Sequence, residues 1–317
     1  MSRPVLAVLG LAFNAFVWGL SWWPLRELDA LGLHPLWTTA AVFLFATVVL
    51  TLLRPSGWLG FAQHPQLWWL MLASGLTNVG FNWAVTTGDV VRVVLLFYLM
   101  PTWSLLLAWW LLDERPTRSA LARLGLALMG VVWVLKTPES PWPLPQDLPD
   151  VLALLAGFCF ALTNIWLLRL QHTPESSRML AMFGGGTLMA TACAMVATAT
   201  GVIPALPNMP TDLGLVPAVA VWLADDSVVQ LFATWAPYVL GLSTAFLVSN
   251  FTLQYGAARL SAHTTAMVMM SEVVFASVSS VALGVSTLTW RIALGGGMIV
   301  FAALLASQAT PSPKGTS

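Results

Sequence analysis

Residues 90–112 read VVRVVLLFYLMPTWSLLLAWWLL, 23 positions broken by a single charge, Arg92. A helix needs roughly 20 largely apolar residues to cross the hydrocarbon core of a bilayer, so this stretch predicts a membrane span. Outward from it, nine more runs of the same character lie at 5–25, 36–53, 66–87, 119–136, 150–169, 178–201, 231–256, 261–284 and 288–307. The runs divide into two sets of five. An odd number of crossings per half means that, if the halves share a fold, the second sits upside down relative to the first. The expected fold is an all-α integral membrane protein of ten transmembrane helices arranged as two inverted five-helix repeats. Such repeats suit a protein that opens a central site alternately to the two sides of a membrane.

Composition points the same way. Of 317 residues, 58% are hydrophobic and 8% charged, with a formal net charge of zero. That leaves too few polar residues to cover a soluble globule and no basic face for nucleic acid. The two cysteines, Cys159 and Cys193, lie inside apolar runs. They read as small buried residues, not as metal ligands or a disulfide framework. Arg3 precedes the first run as it would in a signal peptide. That run nevertheless continues to Leu25, carries Asn14 and lacks a small-residue cleavage site, so it reads as an uncleaved span.

Proline marks the joints. The segment TPESPWPLPQDLP at 137–149 cannot continue a helix. It places a first repeat at 1–137, a periplasmic linker at 138–149 and a second repeat at 150–308, with 309–317 as a disordered tail. A longer external connection runs from Ile203 to Gln230. Basic residues set the orientation. With both termini cytoplasmic, nine of the 13 fall inside (Arg3, Arg54, Arg115, Arg118, Arg123, Arg169, Arg178, Arg259 and Lys314), and Arg26, Arg92, Lys136 and Arg291 fall outside. A bacterial inner membrane is the expected location.

Polar residues recur at matching depths in the two halves. At a constant offset Asn78 falls on Asn250 and Asn82 on Gln254; Ser21 matches Thr163, and Gly125 matches Gly295. Ser74, Asn78 and Asn82 form one helical stripe with Phe81 beside it. Amides turned to lipid would go unsatisfied, so these stripes face either neighbouring helices or a wet cavity. Trp18 and Trp22 share a stripe with Asn14, and Ser21 adjoins it. Phe160, Thr163 and Asn164 sit similarly in the sixth run. Most of the 17 tryptophans lie near span ends, where indoles anchor at the interface. Trp18 and Trp103 do not; they are either lipid-facing filler or the aromatic wall of a pocket for planar ligands. Tyr98 and Pro101 occupy the middle of the fourth run. Pro101 kinks it, as a gate or for packing alone. Glu272, beside Met270 in the ninth run, is an intramembrane acid and so a functional candidate. It binds a substrate ammonium, exchanges protons, or serves as a structural tie.

The stretch YLMPTWSLLLAWWLLDERPT (98–117) resembles the element that closes the fourth span in ten-span, EamA-type members of the drug/metabolite transporter superfamily, with Pro101 and Glu114 matching its signature. SEVVFASVSSVALGVSTLT (271–289) resembles the same element in the second half, retaining Glu272 but with Val273 for the proline and Ser286 for the second glutamate. The tryptophan-rich first and fourth spans are most similar to the YddG-type exporters of aromatic amino acids. The resemblance implies a basket of helices around a cavity lined by spans one, three, four, six, eight and nine.

Together these readings predict a secondary transporter, acting as a monomer, that exports aromatic and other apolar amino acids and related metabolites by alternating access. The alternatives are export of hydrophobic cations or other small metabolites, with or without proton coupling, and, from another class, a membrane receptor or scaffold. No HExxH, GxSxG or GxxxxGK[ST] stands in the chain, so neither an enzyme, a metal, a cofactor nor an ATP-driven pump is expected.

Overall fold

The computed structural model describes residues 3–112, 117–136, 144–210, 221–222, 224–257, 259–260 and 262–307. Glu114, the start of the expected linker and the 309–317 tail lie outside these. The described residues form helices and no strand: α1 (Arg3–Leu20), α2 (Trp22–Ala30), α3 (Pro35–Leu53), a 3₁₀ turn (Pro55–Trp58), α4 (Leu59–Gln63), α5 (Leu67–Thr87), α6 (Val90–Phe97), α7 (Met100–Leu112), α8 (Arg118–Leu135), α9 (Leu148–Arg169), α10 (Glu175–Ala199), α11 (Asp226–Ala257), α12 (Ala262–Met269), α13 (Ser271–Ala282) and α14 (Trp290–Ser307). Every expected run is helical. Among the described residues, seven segments are long and apolar enough to cross a membrane: Val5–Ala30, Pro35–Leu53, Val90–Leu107, Arg118–Leu135, Leu148–Arg169, Glu175–Ala199 and Asp226–Ala257. Two shorter apolar helices lie in Ser271–Ala282 and Trp290–Leu305. The chain is an all-α, multi-pass membrane protein. Helix α5 has the length but not the hydropathy, because it carries Ser74, Thr77, Asn78, Asn82, Thr86 and Thr87.

Local chemistry sets where the helices start and break. Side chains cap six of them: His34 Nδ1 accepts from Leu36 N, Asp89 from Arg92 N, Thr117 from Ala120 N, Asp147 from Asp150 N, Asp225 from Ser227 N and Thr289 from Ile292 N. Each satisfies an N–H that the first turn leaves orphaned. Two breaks follow from proline, which has no N–H for the carbonyl four residues back. Pro24 faces Leu20, where α1 ends, and Pro101 faces Phe97, where α6 ends. The ninth run breaks at Met270, between α12 and α13, without a proline. This position is the equivalent of Tyr98 at the offset that pairs Asn78 with Asn250.

Packing pairs the helices in a pattern that survives exchange of the halves. Helix α3 packs on α10 and α8 on α14; α5 packs on α9 as α11 packs on α1; α6 and α7 pack on α9 as α12 and α13 pack on α1. Close approach needs glycine. A Cβ on Gly130 would lie 2.6 Å from Gly295 O, and one on Gly295 would lie 2.6 Å from Gly130 O. Gly75 and Gly185 meet as tightly where α5 crosses α10. Such crossings let backbones touch where no hydrophobic force separates protein from lipid.

These contacts also fix direction. Gly256 of α11 meets Ala7 and Gly10 meets Thr252, so α1 and α11 run antiparallel; Gly130 meets Ile299 and Gly295 meets Val134, so α8 and α14 do too. Traced through the bundle, both ends of the described chain lie at one face, here the near face. The starts of α6 and α9 lie at the opposite, far face, where Arg92 is paired with Asp150.

Candidate functional site

A cavity of about 930 Å³ occupies the near half of the bundle. Its wall draws on the last turns of α11 and α14, the first turns of α8 and α10, and the middle of α1, α5 and α9. It reaches the surface beside Asn164 and Ala257, both exposed.

Aromatic rings form a connected chain at this wall, with Trp18, Phe43, Phe81, Phe97, Phe160 and Phe183 lining it and the buried Phe246 joining Trp18 to Phe43 from behind. Trp18 stacks on the buried Phe246 with centroids 4.3 Å apart and 14° between planes, and its edge meets Phe81 at 6.3 Å. From Phe81 the contacts run to Phe97 at 4.8 Å and on to Phe160 at 5.4 Å. On the other side Phe246 leads to Phe43 at 5.9 Å and Phe43 to Phe183 at 5.6 Å. Rings held by such mutual contacts offer a rigid surface for a planar guest.

The polar groups are few. Asn78 Nδ2 donates to Ser74 O at 2.8 Å, and Thr163 Oγ1 to Cys159 O at 2.9 Å. The Tyr98 hydroxyl lies 3.1 Å from Glu272 Oε2 and 3.2 Å from Met269 O. It bridges the two broken helices next to their breaks. Arg123 of α8 lines the cavity and makes no ion pair or hydrogen bond with a described residue. Both amide atoms of Asn14 and the Thr265 hydroxyl are buried in the wall without a partner among the described residues.

Of the residues singled out from the sequence, the structure gathers Trp18, Asn78, Phe81, Tyr98, Pro101, Phe160, Thr163, Asn164, Asn250, Met270 and Glu272 around this cavity. Five lie elsewhere. Ser21 sits at the α1–α2 break and donates to Trp18 O at 2.8 Å. Trp22 is buried in the far half, its Nε1 donating to Ser279 Oγ at 3.0 Å. Asn82 is fully buried against Thr39 Oγ1 at 3.2 Å. Trp103 points at Phe158, edge to face at 5.6 Å. Gln254 stands behind Asn250, Nε2 donating to Asn250 Oδ1 at 2.8 Å. For Trp22, Asn82 and Trp103 a neighbouring helix supplies the partner that a cavity was expected to supply; for Ser21 and Gln254 the partner lies one turn back on the same run. The wall also contains residues not singled out from the sequence: Phe43, Arg123, Met182, Phe183, Thr265 and Ile299, five of them on spans not expected to contribute. Arg123 had a signal, a charge within the fifth run; the others had none. Among the described residues no three His, Cys, Asp or Glu side chains come together as a metal site would require.

The far side of the cavity is closed by packing and charge. Arg92 Nε donates to Asp150 Oδ1 at 2.7 Å, Nη2 to Oδ2 at 2.6 Å and Nη1 to Val134 O at 3.1 Å. Arg26 donates to the Val85 and Gly88 carbonyls at the end of α5. Ser286 Oγ accepts from Val90 N at 3.2 Å, taking an orphan N–H at the start of α6. The cavity is thus a blind vestibule open on one face.

No curated protein matches this chain. A solved structure titled "Crystal structure of protein" is similar over 96% of this chain and 96% of its own, with 17% identity and a TM-score of 0.50, a likeness of fold alone. Residues 5–136 match the model of the EamA-like transporter family, which is what the first half of this membrane protein is similar to.

Proposed function

We propose that the chain is a secondary transporter that exports aromatic and other apolar amino acids across an inner membrane by alternating access. One observation carries this: a blind vestibule with a connected aromatic wall, reaching one face only, inside a bundle whose helix pairs exchange between halves. In this reading the ten helical runs are ten crossings, 1–137 and 150–308 are the inverted repeats, and the near face is cytoplasmic, as the distribution of basic residues favours. The halves rock about their shared interface while the site stays in place. The volume fits, since small-molecule sites span about 300–1,000 Å³.

Counterflow in proteoliposomes preloaded with tryptophan or phenylalanine tests the reading. Protein-dependent uptake of the labelled amino acid is expected, and none without the protein; absence of flux for every common amino acid removes it. Export of hydrophobic cations draws its support from Glu272, which lines the same cavity. That acid is already engaged by Tyr98. Glu272→Gln separates the two: a proton-coupled cation exporter loses transport, whereas exchange driven by an amino acid gradient survives.

A further inference from the structure

Most side-chain amides near the cavity are engaged. Asn78 is tied to Ser74 O, Asn82 to Thr39, and Gln254 to Asn250. Asn14 differs. It is 1% exposed, it belongs to the cavity wall, and neither its Oδ1 nor its Nδ2 has a partner among the described residues. Thr265, in the same wall on the adjacent α12, has a buried hydroxyl without a partner among them too. Buried polar groups are almost always paired, and each exception asks for an explanation. Trp18 sits one turn along from Asn14, its indole held flat against Phe246. A planar guest on this aromatic wall would bring its head within reach of the amide. Charge adds a second constraint: the cavity's acid is engaged by Tyr98, whereas its cation, Arg123, has no partner among the described residues.

Building on the transporter reading above, we infer that Asn14, assisted by Thr265, is the hydrogen-bonding anchor for the substrate's polar head, and that this head carries a carboxylate. An amide both donates and accepts, so Asn14 pairs with an ammonium through Oδ1 and a carboxylate through Nδ2. The guanidinium, without a partner among the described residues, makes an anionic group welcome and a bare cation not. This goes beyond the shape of the pocket to its chemistry. It separates amino and other carboxylic acids from amines of the same ring size.

The experiment is a thermal-shift titration of the purified full-length protein in detergent with L-tryptophan, indole-3-propionate (no ammonium) and tryptamine (no carboxylate). A ligand selective for the folded state raises its apparent melting temperature. Wild type is expected to respond to the first two more strongly than to tryptamine. Asn14→Leu weakens tryptophan binding about tenfold or more, while its ligand-free melting temperature equals or exceeds that of wild type, because an apolar replacement leaves no unpaired group behind. Arg123→Ala erases the preference for carboxylates, weakening the response to tryptophan and strengthening that to tryptamine. A ligand-free Asn14→Leu that melts lower makes the amide a structural tie and overturns the proposal. So does tryptophan binding unchanged by Asn14→Leu, or a wild type that prefers tryptamine; in both, the transporter reading still stands. A wild type stabilised by no member of the panel overturns the amino acid reading and the carboxylate head together.

Discussion

The two ends of the bundle are built to opposite rules. At the far end, side chains from both halves are locked to one another: Arg92 to Asp150, Trp22 to Ser279, Val90 N to Ser286. At the near end the same helices stand apart around a cavity, although buried polar atoms without a partner among the described residues occur at both ends, Thr265 Oγ1 at the near one and Trp37 Nε1 and Thr198 Oγ1 at the far one. Trp18 and Trp22 make the contrast concrete. They lie one turn apart in sequence, yet Trp22 is 2% exposed and hydrogen-bonded while Trp18 is a wall of open space. The difference teaches that stability is concentrated at one end and access at the other.

The sharpest way to break the contrast is Arg92→Ala. It strands the Asp150 carboxylate, 2% exposed, without its cation, and removing one partner of a buried pair costs about 3–5 kcal/mol. Thermal unfolding in detergent is expected to show this loss, or the variant fails to accumulate; an unchanged melting temperature means the far end is not the clamp. Next comes the tryptophan pair. Trp22→Ala opens a cavity in packed surroundings, at about 3–5 kcal/mol. Trp18→Ala loses mainly its stack on Phe246, at roughly 1–2 kcal/mol, because one face already borders space. Equal costs for the two would erase the distinction between the ends. Smaller still is Ser286→Ala, which orphans Val90 N–H at the start of α6 and costs about 1 kcal/mol. It should loosen the far end alone, read as faster hydrogen exchange in 90–94.

The mildest test is pH. His34 lies between the first two spans and caps α3 through an unprotonated Nδ1; burial holds its pKa below the ordinary 6.5. As pH falls below 6.5 the unfolded chain takes up a proton before the folded one does. The stability it contributes is therefore fully present above pH 6.5 and lost as pH drops through the folded value. His34→Asn keeps a capping acceptor and should flatten that slope.

How much of this could be read from residues alone varies with the kind of question. Helix placement was legible, since each apolar run is helical, and two of the breaks lie one turn before Pro24 and Pro101. The aromatic wall was partly legible, because Trp18, Phe81 and Phe160 stand mid-span where no interfacial anchor is needed. Helix rotation was not. In a soluble protein the polar face points to water and fixes rotation; in a bilayer the outside is as apolar as the core. A stripe such as Ser74–Asn78–Asn82 therefore does not say which member meets the cavity. Asn78 does, while Asn82, one turn further on, ends against Thr39. Phe43, Met182 and Phe183 carry no polar mark at all, and only the crossing of α3 and α10 brings them inward.

Because the vestibule is open on the near face alone, the molecule in this state has a sidedness. A blocker too bulky to be carried, and unable to permeate the lipid, would plug it when applied to that compartment and be inert from the other. Reversing the compartment of application thus turns a simple inhibition curve into a gauge of which way the molecule rests.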